Sequence, residues 1–321
     1  MHKNIRAAVA TDFEAVNAFI VEQLHSNVGL VESIGHYITE AGGKRMRPVL
    51  VLLGARSCGA TGDAAVKLAA VIEFIHTATL LHDDVVDMSS MRRGRPTANE
   101  QWNNPSSVLV GDFIYSRAFQ ILVSIGHIGI MQVIADTTNT IAEGEVLQLL
   151  NKHRVDTTEA DYMRVINDKT AVLFEAAAYC GAMIANADEP TQQALKAAGR
   201  HIGLAFQLVD DALDYDGSAD ELGKNIGDDL AEGKPTLPLI YALQYACSDD
   251  QDIIRQSIVT GGTDRLSDVV RIVHSCGALD YTRKLARKHA DLAVEKIMML
   301  PDSSYRTALL QMSELAVARI S

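Results

Sequence analysis

Two groups of aspartates have the most informative spacing in this chain. LLHDDVVD contains Asp83, Asp84 and Asp87, and FQLVDDALDY contains Asp210, Asp211 and Asp214 in the same i, i+1, i+4 pattern. On a helix the outer pair of each group lies one turn apart on one face, with the middle residue beside it. Carboxylates so placed repel one another, and a hard divalent cation, typically Mg²⁺, offsets the repulsion when phosphate oxygens complete its shell. A solvated acidic helix end is the plain alternative. Against it, both groups follow apolar runs, VIEFIHTATLL in the first case and GLAFQLV in the second. Neither group has the glycine and bidentate Glu of an EF-hand, or the Glu-x-x-His of a di-iron bundle. The six aspartates are therefore read as two metal-binding triplets able to gather ions around one diphosphate.

Cations cluster next to these triplets. Arg92 and Arg93 follow the first directly, Lys224 and Lys234 follow the second in GKNIGDDLAEGKPTLP, and GGKRMRP supplies Lys44, Arg45 and Arg47. The last segment ends at Pro48, a residue suited to a helix start whose free N–H groups also favour an anion. Alone, each loop cation is ordinary solvated surface; grouped around two acidic triplets, they predict two separate phosphate sockets. His76 lies seven residues before Asp83, on nearly the same helical stripe, which predicts a ligand contact rather than a core histidine. Gln207, Asp210, Asp211 and Asp214 share a stripe in the same way.

The elements that position these residues read as helices. Apolar residues recur at three- and four-residue spacing over 47–57, 64–88, 106–125, 129–151, 159–186, 191–216, 235–246, 265–275, 278–299 and 302–319. Near the start, Thr11 and Glu14 form a capping-box pattern ahead of Val16, Ile20 and Leu24. No sustained period-2 alternation bounded by hairpin turns occurs, so the fold class is all-α. Residues 106–125 and 171–187 are apolar on most of their circumference, which predicts helices surrounded by other helices in a large bundle. With 7 Pro, no low-complexity tract and no fixed-period repeat, residues 1–321 read as one domain.

Composition narrows the function classes. Asp and Glu number 41 against 29 Lys and Arg, a formal charge of −12, which excludes the cation excess that nucleic acid binding needs. The 4 Cys show no CxxC or zinc spacing, and 48% hydrophobic residues exclude global disorder. No stretch is read as reaching the roughly 18 apolar residues of a membrane span, and no targeting peptide is evident, so a cytoplasmic protein without a transmembrane segment is expected.

The motifs GGKRMRP, LLHDDVVD with MRRGRPT, DKTAVLF, AFQLVDDALDY and GKNIGDDLAEGKPTLP, in this order, resemble those of trans-prenyl diphosphate synthases, the head-to-tail elongating prenyltransferases. The resemblance covers essentially the whole chain and is greatest to the long-chain bacterial type, through EFIHTATLLHDDVVD and IAEGEVLQL. It implies an isoprenoid synthase bundle with a central active-site cavity, acting as a homodimer. It assigns Asp83, Asp87, Asp210 and Asp214 to Mg²⁺ on the allylic diphosphate, with Asp84 and Asp211 supporting. Lys44, Arg47, His76 and Arg93 would hold isopentenyl diphosphate. Arg92, Lys169, Thr170, Gln207, Lys224 and Lys234 would hold or stabilise the allylic diphosphate, Lys169 among the catalytic groups.

The implied reaction ionises the allylic C–O bond, so it requires charge stabilisation on the leaving group more than a protein nucleophile. No Ser/His/Asp or Cys/His arrangement is visible, in agreement. Ala78 and Thr79, one turn before Asp83, are small where short-chain relatives carry aromatics, and Ile75 lies a further turn back. These three positions predict a tunnel for a long prenyl tail. The implied product is octaprenyl diphosphate for quinone side chains, made from farnesyl diphosphate; other lengths from geranylgeranyl to decaprenyl are the alternative. A terpene cyclase or head-to-head synthase would not keep both aspartate motifs, a non-catalytic partner subunit would lose aspartates, and a purely structural bundle would leave all six unexplained.

Overall fold

The computed structural model describes residues 2–216 and 226–318. Two compact units divide the chain. The first comprises Met1–Thr138, Leu173–Gly199 and Val294–Met312; the second comprises Asn139–Val172, Arg200–Ala293 and Ser313–Ser321. Apart from a two-residue hairpin, the described regular structure is helical, as expected.

In the first unit α1 (His2–Ala7), α2 (Ala10–Gln23), α3 (Gly29–Glu40) and α4 (Met46–Ser57) precede the long α5 (Ala64–Val86). A strand pair, β1 (Met91–Arg92) and β2 (Arg95–Pro96), a short α6 (Ala98–Gln101) and α7 (Asn104–Ile125) follow, and α8 (Ile128–Asn151) begins here. Helix α5 packs against α2, α4 and α7. Its approach to α7 is close because Gly111 has no side chain: a Cβ there would lie 2.4 Å from His82 Nε2. Beside it, the buried Ser107 Oγ donates to Leu81 O at 2.9 Å. Across the other face, Gly181 on α10 (Val172–Ile184) meets α4 so tightly that a Cβ would stand 2.7 Å from Val51 O.

Three sequence expectations fail in this unit. The Thr11 capping box is not made: α2 starts at Ala10, its N-cap is Val9, and no side chain caps it. Helix α10 is enclosed as expected, but α7 is not, since Leu109 and Val123 are 66% and 61% exposed. Both α5 and α7 are also long and apolar enough to cross a membrane by length and composition, contrary to the reading above. Burial separates them: 67% of the most apolar stretch of α5 is inside the protein, as in a core helix, against 33% for α7.

In the second unit α9 (Glu159–Ile166) opens with a true capping box. Thr158 Oγ1 accepts from Asp161 N at 3.2 Å, and Asp161 Oδ2 accepts from Thr158 N at 3.1 Å. A π turn, Asn167–Ala171, then leads into α10. After α11 (Glu189–Asp216) come α12 (Asp228–Ala231), α13 (Leu237–Tyr245), α14 (Ser248–Thr260), α15 (Leu266–Ser275), α16 (Ala278–Ile297) and α17 (Ser304–Val317). Apolar residues one turn apart build two core layers here. Leu204, Leu208, Leu237 and Ala290 belong to one, and Leu230, Leu239, Ile258 and Ile272 to the other.

A histidine pair links α11 to α16, with 3.0 Å between Nδ1 of His201 and Nδ1 of His289. One ring must donate and the other accept, so the pair is disfavoured when both are protonated. Burial first, then His201, Lys288 and Arg200, push His289 from 6.5 down to about 4. The unfolded chain therefore takes up a proton that the folded chain refuses between those values. Stability is full above pH 6.5 and is lost as pH falls toward 4. We expect the melting temperature to decline over this window and His289→Gln to flatten the decline. An identical pH slope in the variant would show that the pair does not contribute.

Candidate active site

Backbone geometry shapes the basic loop before α4. Gly42, Gly43 and Arg45 have φ of 75°, 145° and 44°, and α4 starts directly after this left-handed Arg45. Gly43 is required twice over, because a Cβ there would also lie 2.8 Å from the Arg93 guanidinium. That guanidinium donates to Gly42 O, and Arg6 of α1 holds Lys44 O from outside at 2.8 Å. Arg93 reaches the loop because Arg93 and Gly94, with φ of 53° and 74°, form the two-residue turn joining β1 to β2.

Below the loop, Arg47 Nη1 lies 3.2 Å from His76 Nε2, and its guanidinium stands 4.3 Å over the Phe174 ring. Arginine only donates, so His76 accepts at Nε2 and is neutral, with its proton on Nδ1. Burial, then Arg47, Arg93 and Arg92, hold the His76 pKa well below the usual value. Burial also brings Arg47 down to about 10, partly opposed by Glu73. Glu73 is a carboxylate set among these cations; burial raises its pKa, and Arg45 Nε stands 3.9 Å from its Oε1. The structure thus brings Arg47, His76 and Arg93 together beside Lys44, with positive charge in excess. Such a cluster suits a diphosphate.

Asp83, Asp84 and Asp87 lie at the C-terminal end of α5, where the helix dipole adds further negative charge. Asp83 and Asp87 are partly exposed, but Asp84 is fully buried. Its Oδ1 accepts from Arg92 Nε at 2.8 Å and pairs with Nη2 at 2.7 Å, while burial raises its pKa against the pull of Arg92. Asp84, expected among the metal ligands, therefore faces inward and orients Arg92. Its Oδ2 has no hydrogen-bond partner among the described residues. Among the chain-length positions, Ile75 and Ala78 have no exposed surface and sit as packed core, whereas Thr79 is partly exposed.

The second triplet ends α11 in the same way. Asp210 is partly exposed, but both oxygens of Asp211 are engaged, Oδ2 by Tyr162 OH at 2.5 Å and Oδ1 by Gln207 Nε2 at 2.8 Å. Burial and the nearby Asp229 raise Asp211 to about 7. Asp214, another expected metal ligand, is also turned inward, because the chain folds back onto it. Its Oδ2 accepts from Asp229 N at 3.2 Å and its backbone O from Gly227 N at 3.0 Å. Thr170 Oγ1 donates to Gln207 Oε1 at 3.1 Å.

Lys169 sits in the π turn, which packs onto α8 at Gly144, where a Cβ would lie 2.7 Å from Lys169 N. Its ammonium donates to Glu145 Oε2 and Gln148 Oε1, both at 2.7 Å, so it is held inside and does not reach for bulk solvent. Lys234 pairs with Glu232 at 2.7 Å, and Lys152 with the same carboxylate at 3.3 Å. Lys224 lies outside the described residues.

No group of three or more His, Cys, Asp or Glu among the described residues forms a preformed metal cage. The residues nevertheless fit Mg²⁺, which keeps waters and phosphate oxygens in its shell and takes only one or two carboxylates from a protein. All-oxygen donors at two helix C-termini match that chemistry.

The polyprenyl synthetase family pattern matches residues 28–275, a span that contains both aspartate triplets and the cations beside them. The chain belongs to the polyprenyl synthetase family. It is 49% identical over 318 residues to the octaprenyl diphosphate synthase of Escherichia coli (strain K12), covering 99% of this chain and 98% of that protein. It is 51% identical over 319 residues to an all-trans-nonaprenyl-diphosphate synthase (geranyl-diphosphate specific) of Rhodobacter capsulatus, covering 99% and 98%. A polyprenyl synthase from Caulobacter crescentus CB15, solved in complex with calcium and isoprenyl diphosphate, has a TM-score of 0.97 and 40% identity over 100% of this chain and 98% of that one. This polyprenyl synthetase is thus an enzyme that transfers prenyl groups.

Several residues that shape the synthetase site were missed by sequence reasoning. Glu73 gave a signal, an acidic residue in an apolar helix three positions before His76. Glu145 and Gln148 lay inside IAEGEVLQL at a helical spacing that could have marked them as the seat of a cation. Tyr162 gave none, since its partner is 49 positions away.

Proposed function

We propose that this polyprenyl synthetase extends an allylic diphosphate, farnesyl diphosphate, by successive Mg²⁺-dependent head-to-tail 1′-4 condensations with isopentenyl diphosphate to octaprenyl diphosphate. In this reading it acts in the cytoplasm, as a homodimer with residues 1–321 forming one domain, and supplies quinone side chains. The observation that carries the product length is the near-complete 49% identity to a synthase of that product. Incubating the purified protein with Mg²⁺, isopentenyl and farnesyl diphosphates, followed by chain-length analysis, tests it directly. A nonaprenyl product from geranyl diphosphate is the second reading, supported by the 51% identical relative, and the same assay run with both primers separates the two.

In the mechanism, Lys44, Arg47, His76 and Arg93 bind the isopentenyl diphosphate and present its double bond. Arg92, Lys169, Thr170, Gln207, Lys224 and Lys234 grip the allylic diphosphate. Asp83 and Asp87, with Asp210 and Asp214, would hold Mg²⁺, which when bound would supply charge to neutralise the departing diphosphate. For Asp214 this requires its carboxylate to leave Asp229 N. Donors preorganised on the leaving group are worth most in such a site because they need not reorient as negative charge develops. Neutral His76 binds its diphosphate by donation from Nδ1 without competing for the allylic cation.

The homodimer is supported by the apolar residues left uncovered on α7 and the start of α8, with Leu109, Val123 and Ile128 66%, 61% and 79% exposed. A mass by light scattering of twice the 34.8 kDa chain is expected.

Tail length is tested on α5. Ala78 is enclosed, so a ring there must displace packed neighbours at about 1 to 3 kcal/mol. Thr79 has exposed surface, so Thr79→Phe adds bulk about one turn, roughly 5 to 6 Å, from the first aspartates at lower cost in folding. We expect short prenyl diphosphates to accumulate while the first condensation proceeds near the wild-type rate. A folded, active Thr79→Phe enzyme that still makes the full-length product would show that the tail takes another route.

A further inference from the structure

Tyr162 is buried, with 4% of its surface exposed, and the Thr158–Asp161 capping box that starts α9 fixes its rotational position on the helix. From it runs an unbroken hydrogen-bond chain: Tyr162 to Asp211 at 2.5 Å, Asp211 to Gln207 at 2.8 Å, and Gln207 to Thr170 at 3.1 Å. The direction of each bond follows from the groups. Tyr162 donates to Asp211 Oδ2 and Gln207 Nε2 donates to Asp211 Oδ1, which leaves the Gln207 oxygen to accept from the Thr170 hydroxyl. One N–H of that NH₂ is spent on Asp211 and the other is left over. Gln207 is itself partly exposed.

We infer that Tyr162 is a positioning residue which, through Asp211, locks the Gln207 amide in the one orientation that offers its second N–H to the allylic diphosphate. The inference rests on the reading of Gln207 as a contact to that substrate. The same device occurs independently in the first triplet, where the middle aspartate, Asp84, is also buried and holds Arg92 through two nitrogens. In both motifs the first aspartate, Asp83 or Asp210, is partly exposed, whereas the middle one is buried and holds a neighbouring side chain. Without the phenol, Asp211 Oδ2 loses its donor, the carboxylate is free to rotate, and the amide can flip its oxygen toward the substrate. An oxygen facing a diphosphate repels it.

The test uses the full-length enzyme with farnesyl and isopentenyl diphosphates varied separately. Tyr162→Phe keeps the ring and its packing. It is expected to raise KM for farnesyl diphosphate roughly 5- to 10-fold, the worth of one hydrogen bond, with KM for isopentenyl diphosphate and the Mg²⁺ half-saturation unchanged. Added to Gln207→Ala, the same substitution should have no further effect on that KM, because its target is gone. Asp211→Asn presents an NH₂ that disturbs the same chain at constant volume. It should reproduce the farnesyl diphosphate signature, and it serves as the probe if Tyr162→Phe melts below the assay temperature. Unchanged KM for farnesyl diphosphate, or effects that multiply in the double variant, would overturn the inference and leave Tyr162 a packing residue. Absence of any condensation by the wild-type enzyme would instead overturn the functional reading on which the inference depends.

Discussion

Alanine at Asp83 or at Asp210 is expected to lower kcat by about 10²- to 10³-fold while leaving the helices folded. Each is the partly exposed first carboxylate of its triplet. Removing one preorganised electrostatic group from a site where charge develops costs on the order of 3 to 4 kcal/mol. Folding should not suffer, because each substitution also relieves repulsion between carboxylates at the negative end of a helix. We expect thermal melting unchanged or slightly raised, with the Mg²⁺ concentration for half-maximal activity increased. Near-normal turnover with an unaltered Mg²⁺ titration in either variant would remove these aspartates from the metal site. Asp84→Ala should behave differently: it strips Arg92 of its buried partner, so it should lower the melting temperature as well as activity.

Arg47→Ala should produce the largest selective change in substrate binding. Its guanidinium bonds His76 at 3.2 Å and stacks 4.3 Å over Phe174, in a cluster with Arg93. Loss of a charge-assisted contact costs about 1.5 to 3 kcal/mol, which corresponds to roughly a 10- to 150-fold rise in KM for isopentenyl diphosphate. The pKa of His76 should rise in the variant, since Arg47 is one of the charges depressing it. Steady-state kinetics with each substrate varied in turn separates the effect. Equal weakening of isopentenyl and allylic binding would contradict two separate sockets.

Much of this arrangement was legible because it is local. The aspartates of each motif lie within about one turn of one another on α5 or α11, and a helix converts such spacing directly into a shared face. Partners brought together by tertiary packing were not legible. Nothing in the sequence shows that Asp211 spends both oxygens on Tyr162 and Gln207, or that Asp214 turns toward Asp229. Helix α7 misled for a related reason, because an apolar circumference signals burial without saying what provides it. Thr11 failed as a cap because the helix begins at Ala10, two residues earlier than a Thr11 cap requires, with Val9 as its N-cap.

The π turn at Asn167–Ala171 carries one residue more than an α-helical path would need. In a regular α-helix an extra residue would advance every later side chain by about 100° around the axis, and the wider π turn absorbs that rotation. Tyr162 and Ile166 before it, and Leu173 and Phe174 after it, therefore follow two different angular phases along what would otherwise be one continuous rod. Tightening this turn into an ordinary helix with every residue kept would rotate the whole of α10 out of its seat, so the segment works as a phase adjuster, and the Lys169 ammonium projects from the point where the phase changes.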